Sequence, residues 1–365
     1  MKKTLIALAA LAVTGAVMAQ SSVTVYGIAD AGVTRASNSN GGVGVSGVRS
    51  GGIATSRLGF RGTEDLGGGL KAKFLVETGI AIDAPTTTTL GDRGSWVSIA
   101  SDSMGELRLG REFNQTFLNQ NSFSAFGTNG VGNSLIFSSR STAYTNALKA
   151  APAVENNYLW TNNAITYILP NTLGGFYGTL QYAFDEKTTP ADNKAGRSTN
   201  LRAGYANGPL NVGVAYNKTD GGTNATPATI DTIKSTNVGA SYDFGMAKVF
   251  AAWAQDKTST TATGAEKSKL TGWDLGASIP VTSTGNVLVS YAKVKTETVG
   301  DALDDKASKF AVGYRHSLSK RTTVYATAAR ISNKNGANYT LGGTAPTGGV
   351  KFNSTGYDVG ISHSF

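Results

Sequence analysis

The sequence predicts an all-β chain: a 16-stranded antiparallel transmembrane β-barrel with short periplasmic turns, long extracellular loops and a third loop folded into the lumen. Three observations carry this reading. Apolar and polar residues alternate with a period of two along most of the chain, and the connections between alternating segments run short, long, short, long. One connection, Leu107 to Leu159, is far longer than its neighbours and breaks the alternation.

Composition narrows the possible chemistry. The 365 residues include 46 Gly, 8 Pro and no Cys, and 16% are charged. Without cysteine there are no disulfides, thiolate metal ligands or thiol nucleophiles. Two histidines, His316 and His363, leave little material for a zinc site or a histidine base, so neither metal nor cofactor is expected. The net charge of +9 would suit a nucleic-acid partner, but the basic residues are scattered singly along alternating segments. No nucleic acid is expected.

Lys2 and Lys3 precede an apolar run from Leu5 to Val17, and Val17-Met18-Ala19 ends in a small residue before Gln20. That order is the one of a cleavable secretory signal, residues 1–19, leaving a single barrel domain over 20–365. The run is shorter than the roughly 20 apolar residues a spanning helix needs. No later stretch is long and apolar enough, so a secreted soluble chain or a closed barrel remains.

The first strand places Val23, Val25, Gly27, Ala29 and Ala31 on one face and Thr24, Tyr26 and Asp30 on the other. In the next hairpin Arg57, Gly59, Arg61 and Thr63 oppose Leu58 and Phe60. After the turn Asp65–Gly69, Lys71, Lys73 and Glu77 oppose Leu70, Ala72, Phe74 and Val76. A sandwich would alternate too, and the asymmetry of the connections separates the cases. Short turns fall at 65–69, 102–105, 171–175, 207–209, 245–246, 280–285 and 319–320. Long polar links fall at 35–56, 80–92, 112–159, 185–197, 219–234, 258–267, 296–305 and 332–351. Seven turns and eight loops join sixteen strands, an even number wide enough for an aqueous lumen. Later strands carry Tyr and Phe on the apolar face, as interfacial girdles do. Opposite them lie Gln181, Asn200, Arg202, Asn217, Asn237 and Ser241, which suit a wet lumen.

The last strand sets Tyr357, Val359, Ile361, His363 and Phe365 on one face. This ending, with SSVTVYGIADAG, SRLGFRGTEDLGGGLKA, LGREF and SLSKRTTVYA, resembles the trimeric Gram-negative diffusion porins, in particular their anion-preferring members. The resemblance implies a homotrimer in outer-membrane lipid and lipopolysaccharide, passing small anionic or polar solutes. It also implies that the terminal Phe365 is read by the barrel-insertion machinery. In that family the third loop narrows the pore against wall arginines. Arg57 and Arg93 match wall positions, Arg108 and Arg111 flank the loop root, and Arg140 lies inside the loop. The loop segment itself carries Glu112, Phe113, Asn114, Phe117, Phe123 and Phe126. Where the family often has an arginine just after the loop, this chain has Trp160-Thr161-Asn162.

Between Glu112 and Glu155 the loop has no acidic residue. Wall arginines unopposed by carboxylates should give the narrow part a positive potential and enrich anions. Other readings are a sugar-specific channel using the loop phenylalanines as a slide, a barrel enzyme, and an adhesin built on loops such as Asn38–Gly52. The enzyme reading is weakest, because both histidines lie on strand faces assigned to lipid.

Overall fold

The structure, a computed structural model, describes residues 22–365 except 85–88, 149–155, 186–193, 195, 221–230 and 261–262. The expected signal peptide, Lys149 and Glu155 lie outside the described residues.

The described residues form one antiparallel sheet that closes on itself. The first strand, β1 (Ser22–Asn38), pairs on one edge with the last, β17 (Phe352–Ser364), from Ile28↔Ser364 to Asn38↔Ser354. On its other edge the lower half of β1 pairs with β3 (Arg57–Gly67) and the upper half with a short strand β2 (Val45–Ser50). Setting β2 aside leaves sixteen staves, as expected. They continue through β4 (Leu70–Gly79), β5 (Gly94–Ser101), β6 (Gly105–Phe113), β7 (Trp160–Ile168), β8 (Phe176–Ala183), β9 (Ser198–Asn207) and β10 (Leu210–Asp220). The circuit is completed by β11 (Asp231–Asp243), β12 (Lys248–Thr260), β13 (Glu266–Pro280), β14 (Gly285–Thr298), β15 (Asp305–Ser317) and β16 (Thr322–Lys334).

All seven short turns fall where the sequence places them. In the β3–β4 turn Gly67, Gly68 and Gly69 all have positive φ, a conformation that glycine enters without a Cβ clash. The first long link departs from expectation. β1 extends to Asn38 and β2 returns along it, so much of Asn38–Gly52 is sheet rather than free loop. The chain then leaves the wall between β2 and β3, and the N–H groups of Gly52, Ile53 and Ala54 all donate to the buried Asp30 carboxylate.

The outward face is apolar and exposed, as a lipid-facing wall requires: Val23, Val25, Val97, Ile99, Leu107, Leu109, Leu180, Val238, Leu275 and Ile361. Tyr182, Tyr216, Tyr242, Trp253, Tyr291, Tyr314 and Phe365 are exposed on the same face. His363 lies on this face beside Ile361 and bonds Thr322, and His316 bonds Tyr314.

Two helices interrupt the strands, both in the third long loop: Gln115–Ser122 and Leu135–Leu148. The first begins at Asn114, whose side chain accepts from the Thr116 N–H as an N-cap. The loop lies inside the barrel, and the four largest fully buried side chains, Arg140, Tyr144, Tyr158 and Phe123, belong to it or its return, as do Leu135 and Ile136, while Phe352 belongs to the last strand.

Candidate pore constriction

The inward position of the third loop has a visible cause in the wall. Gly213 and Gly239 stand opposite each other on β10 and β11, and Phe123 of the loop rests on them. A Cβ at Gly239 would fall 2.1 Å from the Phe123 ring, so the wall must be bare there for the ring to seat. Phe126 packs on Gly313 of β15 in the same way.

Polar contacts then fix the loop. Asn119 donates to Asn237 Oδ1 at 2.8 Å, and Asn237 donates back to the Thr116 carbonyl at 2.7 Å. The Tyr144 hydroxyl donates to Asn217 Oδ1 at 2.5 Å. Lys309 of β15 donates to the Asn133 carbonyl and side chain, each at 2.6 Å, and the Val131 N–H donates to Asp358 at 2.6 Å. Asn200, Asn217, Asn237, Ser241 and Gln181, expected to face a wet lumen, are therefore buried, and Asn217 and Asn237 hold the loop directly.

Arg140, expected among the pore arginines, is not one of them. It shares a helical stripe with Ile136, Tyr144 and Ala147, all buried against the wall. That stripe carries its guanidinium onto Asp256 of β12, with Nε 3.1 Å from both carboxylate oxygens and Nη2 3.0 Å from one. Arg140 is 0% exposed. Burial opposes its charge, but the adjacent Asp256 more than offsets this and holds its pKa above the ordinary arginine value. The pair fastens the helix to the barrel and presents no charge to the pore.

The other four arginines separate into two groups. Arg57 on β3 and Arg93, which precedes β5, share one carboxylate: Glu77 lies 2.9 Å from Arg93 Nε and 3.5 Å from Arg57 Nε. Arg108 is held by two carboxylates, Glu106 at 2.7 Å and Glu112 at 3.1 Å, with its guanidinium over Trp96. Arg111 donates to the Asp92 carbonyl at 2.7 Å and to Asn162. Trp160, which opens the stretch after the loop where the resembling family often has an arginine, stacks on Phe113 with ring centroids 4.3 Å apart. The guanidiniums of Arg93 and Arg111 lie 5.4 and 5.3 Å from its ring, so an aromatic shelf positions both charges.

Between loop and wall lies a cavity of ≈ 520 Å³, the candidate passage. On the loop side stand Phe113, Phe117, Leu118, Asn121 and the stretch Ser124–Asn129; on the wall side stand Arg57, Arg93 and Arg315, with Ile53–Thr55 of the first loop. Arg108, Arg111, Glu112, Asn114 and Phe123 are not in this lining. Glu112, with Arg108 and Gln181, closes the loop root instead. Of the loop phenylalanines Phe123 is buried away from this lining, Phe117 and Phe126 are buried at its edge, and Phe113 and Phe137 line it half-buried.

The sequence reading passed over Arg315. Its signal was the parity of β15, where Phe310, Val312 and Tyr314 face outward and so turn Arg315 inward. Its Nη2 donates to the Phe126 carbonyl at 3.3 Å, and it has no ion pair among the described residues. Arg202, already placed on the lumen face, contacts Asn119 and Ser122 of the loop.

A sixteen-stave barrel with an inward third loop and an arginine wall fits the family with which the sequence compares. The profile of the Gram-negative porin family matches residues 4–336. The chain is a Gram-negative porin. Its sequence is 40% identical to the outer membrane porin protein 32 of Delftia acidovorans, each chain covered in full. It is also 30% identical to an outer membrane porin protein of Bordetella pertussis, over 91% of this chain and 95% of that one. In three dimensions it is similar to the anion-selective porin from Comamonas acidovorans, with a TM-score of 0.81 at 35% identity, over 95% of this chain and all of that chain. The porin is thus a multi-pass protein of the outer membrane and a passive channel, not an enzyme.

Proposed function

We propose that this porin passes small hydrophilic solutes with a preference for anions. One observation carries the sign: the passage between loop and wall is lined by three arginines and by no carboxylate. Glu77, beside two of them, offsets one charge and leaves an excess of positive charge along that lining. In a water-filled channel with low-dielectric walls that excess raises the local anion concentration. The anion selectivity of the Comamonas acidovorans porin has the same sign.

The test is a reversal potential in a KCl gradient across a planar bilayer. Anion preference is expected, weaker near 1 M salt, where screening acts over about 3 Å. Replacing Arg57 and Arg315 with Ser should reduce it, whereas R108S should change it little, because Arg108 already faces two carboxylates. A cation-preferring wild-type channel would refute the proposal.

The porin is also proposed to be a homotrimer, made with a signal peptide over residues 1–19 removed on export. Phe365 is proposed to be the group read during barrel insertion. Support for the last role is its place at the seam: the N–H of Phe365 donates to the Gly27 carbonyl and the N–H of Gly27 to the Phe365 carbonyl, both at 3.1 Å, while its ring covers Gly27. The terminal residue therefore joins the last stave to the first.

A further inference from the structure

The two sides of the passage differ in chemistry. Its wall side carries Arg57, Arg93 and Arg315. Facing them, the loop and its return present Phe113, Leu118, Phe137 and Leu159, each only half-buried, so that each keeps a face to the cavity. The other faces of these four side chains pack on a buried cluster that includes Phe117, Tyr144, Tyr158 and Ile233.

Loop packing explains the buried cluster but not the apolar faces left over. Asn121, Thr128 and Asn129 show that the same loop can meet the cavity with polar groups. For an inorganic ion the apolar faces are an obstacle, because in a narrow passage they give its hydration shell nothing to bond. For a solute with an apolar body they are a contact surface, and apolar walls with a few placed polar groups are the usual make-up of a small-molecule site.

The rings also begin where the charges are. The Arg93 guanidinium lies 6.0 Å from the centre of the Phe113 ring, and Arg57 shares Glu77 with Arg93. Phe113 stacks on Phe117 at 5.2 Å, and Phe117 lies 6.0 Å from Phe137, so the aromatic strip is continuous away from Arg93. Arg315 makes no ion pair among the described residues, and its buried Nε has no hydrogen-bond partner. A solute that meets both sides at once must carry its negative charge directly beside its apolar body. A carboxylate attached to a planar ring has that form: its oxygens accept from guanidinium N–H groups while the ring lies against the aromatic strip. Acetate is too short to cover the strip, and an aliphatic dicarboxylate brings a second charge onto it.

We infer, resting on the anion preference proposed above, that the passage favours aromatic monocarboxylates, of which benzoate is the simplest, with the carboxylate on the wall arginines and the ring on Phe113 and Phe137.

The experiment titrates single channels of the porin in a planar bilayer at neutral pH with sodium benzoate, sodium acetate, benzyl alcohol or maltotriose while chloride current is recorded. Benzoate should interrupt the current saturably, at a half-blocking concentration about tenfold below that of acetate, the effect of roughly 50 Å² of apolar surface leaving water. Benzyl alcohol keeps the ring without the charge and should block far more weakly than benzoate. In the F113S/F137S variant, its folding checked by gel mobility, the advantage of benzoate over acetate should fall to about twofold or less. Equal block of wild-type channels by benzoate and acetate would overturn the inference without any mutation, and so would an undiminished advantage in the folded variant. Block by benzyl alcohol as strong as that by benzoate would show an apolar site indifferent to charge, and equally strong block by maltotriose would show a sugar slide; either would refute the assignment. The reversal potential in a KCl gradient separates this inference from the reading beneath it. A chloride-preferring channel blocked equally by benzoate and acetate loses only the inference, whereas a cation-preferring channel loses both.

Discussion

Removal of the Arg140 guanidinium by an R140M substitution should loosen the constriction without opening the barrel. The substitution keeps most of the aliphatic bulk on the buried stripe of the second loop helix and leaves Asp256, 2% exposed, as an unpaired buried carboxylate. Breaking one half of a buried pair costs about 3–5 kcal/mol. The cost falls on the closed position of the loop, because that is where Asp256 loses water without gaining a partner. A bias of that size raises the population of detached loop by about a hundred- to a few thousand-fold. Asn119, Lys309 and Asp358 still hold other parts of the loop, so detachment centres on the second helix, where Tyr144 bonded to Asn217 is the remaining tie. Single-channel recording should show a higher mean conductance and slow current steps absent from the wild type. The double variant R140L/D256L should return the current to quiet, wild-type conductance, since apolar residues of similar volume replace a buried ion pair at little or no cost. If R140M is electrically indistinguishable from wild type, or if R140L/D256L is as noisy as R140M, the pair does not hold the loop.

Three further outcomes follow from the same geometry. E77Q removes the carboxylate shared by Arg57 and Arg93 and should strengthen anion preference; one charge at ~6 Å in water is worth ~0.7 kcal/mol, or about threefold in the permeability ratio read from reversal potentials. G239V sets a branched side chain where Phe123 now rests and should cost about 1–3 kcal/mol of overpacking, displacing the loop and altering conductance while the barrel stays heat-modifiable on gels. F365A should slow insertion into lipid vesicles, followed by gel mobility against time, while protein that does insert conducts normally.

The staves and turns were legible because lipid contact imposes one simple rule on each strand. Every residue of a stave faces either hydrocarbon or lumen, so Leu107 and Leu109 against Glu106 and Arg108 can be read without knowing any neighbour. What the rule omits is height and depth within the lumen. Alternation turns Arg57, Arg108 and Arg315 inward alike, yet Arg57 and Arg315 reach the passage while Arg108 is enclosed by Glu106 and Glu112. The lumen-facing amides looked like the lining of water because nothing local shows that a loop from another part of the chain will cover them. The strand β2 was missed for a different reason: Val45-Ser46-Gly47-Val48-Arg49-Ser50 is only six residues long and does not alternate apolar and polar residues strictly.

Arg140 could have been placed from sequence by a helical rather than a strand period. Ile136, Arg140, Tyr144 and Ala147 recur at three- and four-residue intervals, and a helix inside a barrel must turn its most apolar stripe to the wall. A charge on that stripe has to meet its opposite there, as Arg140 meets Asp256. Such charges hold the loop while cancelling in pairs, so the formal count of +9 says little about the pore. The sign of the channel belongs to the few charges that line the passage. By that count the absence of carboxylates from the third loop matters for Arg57, Arg93 and Arg315, and is irrelevant to Arg140.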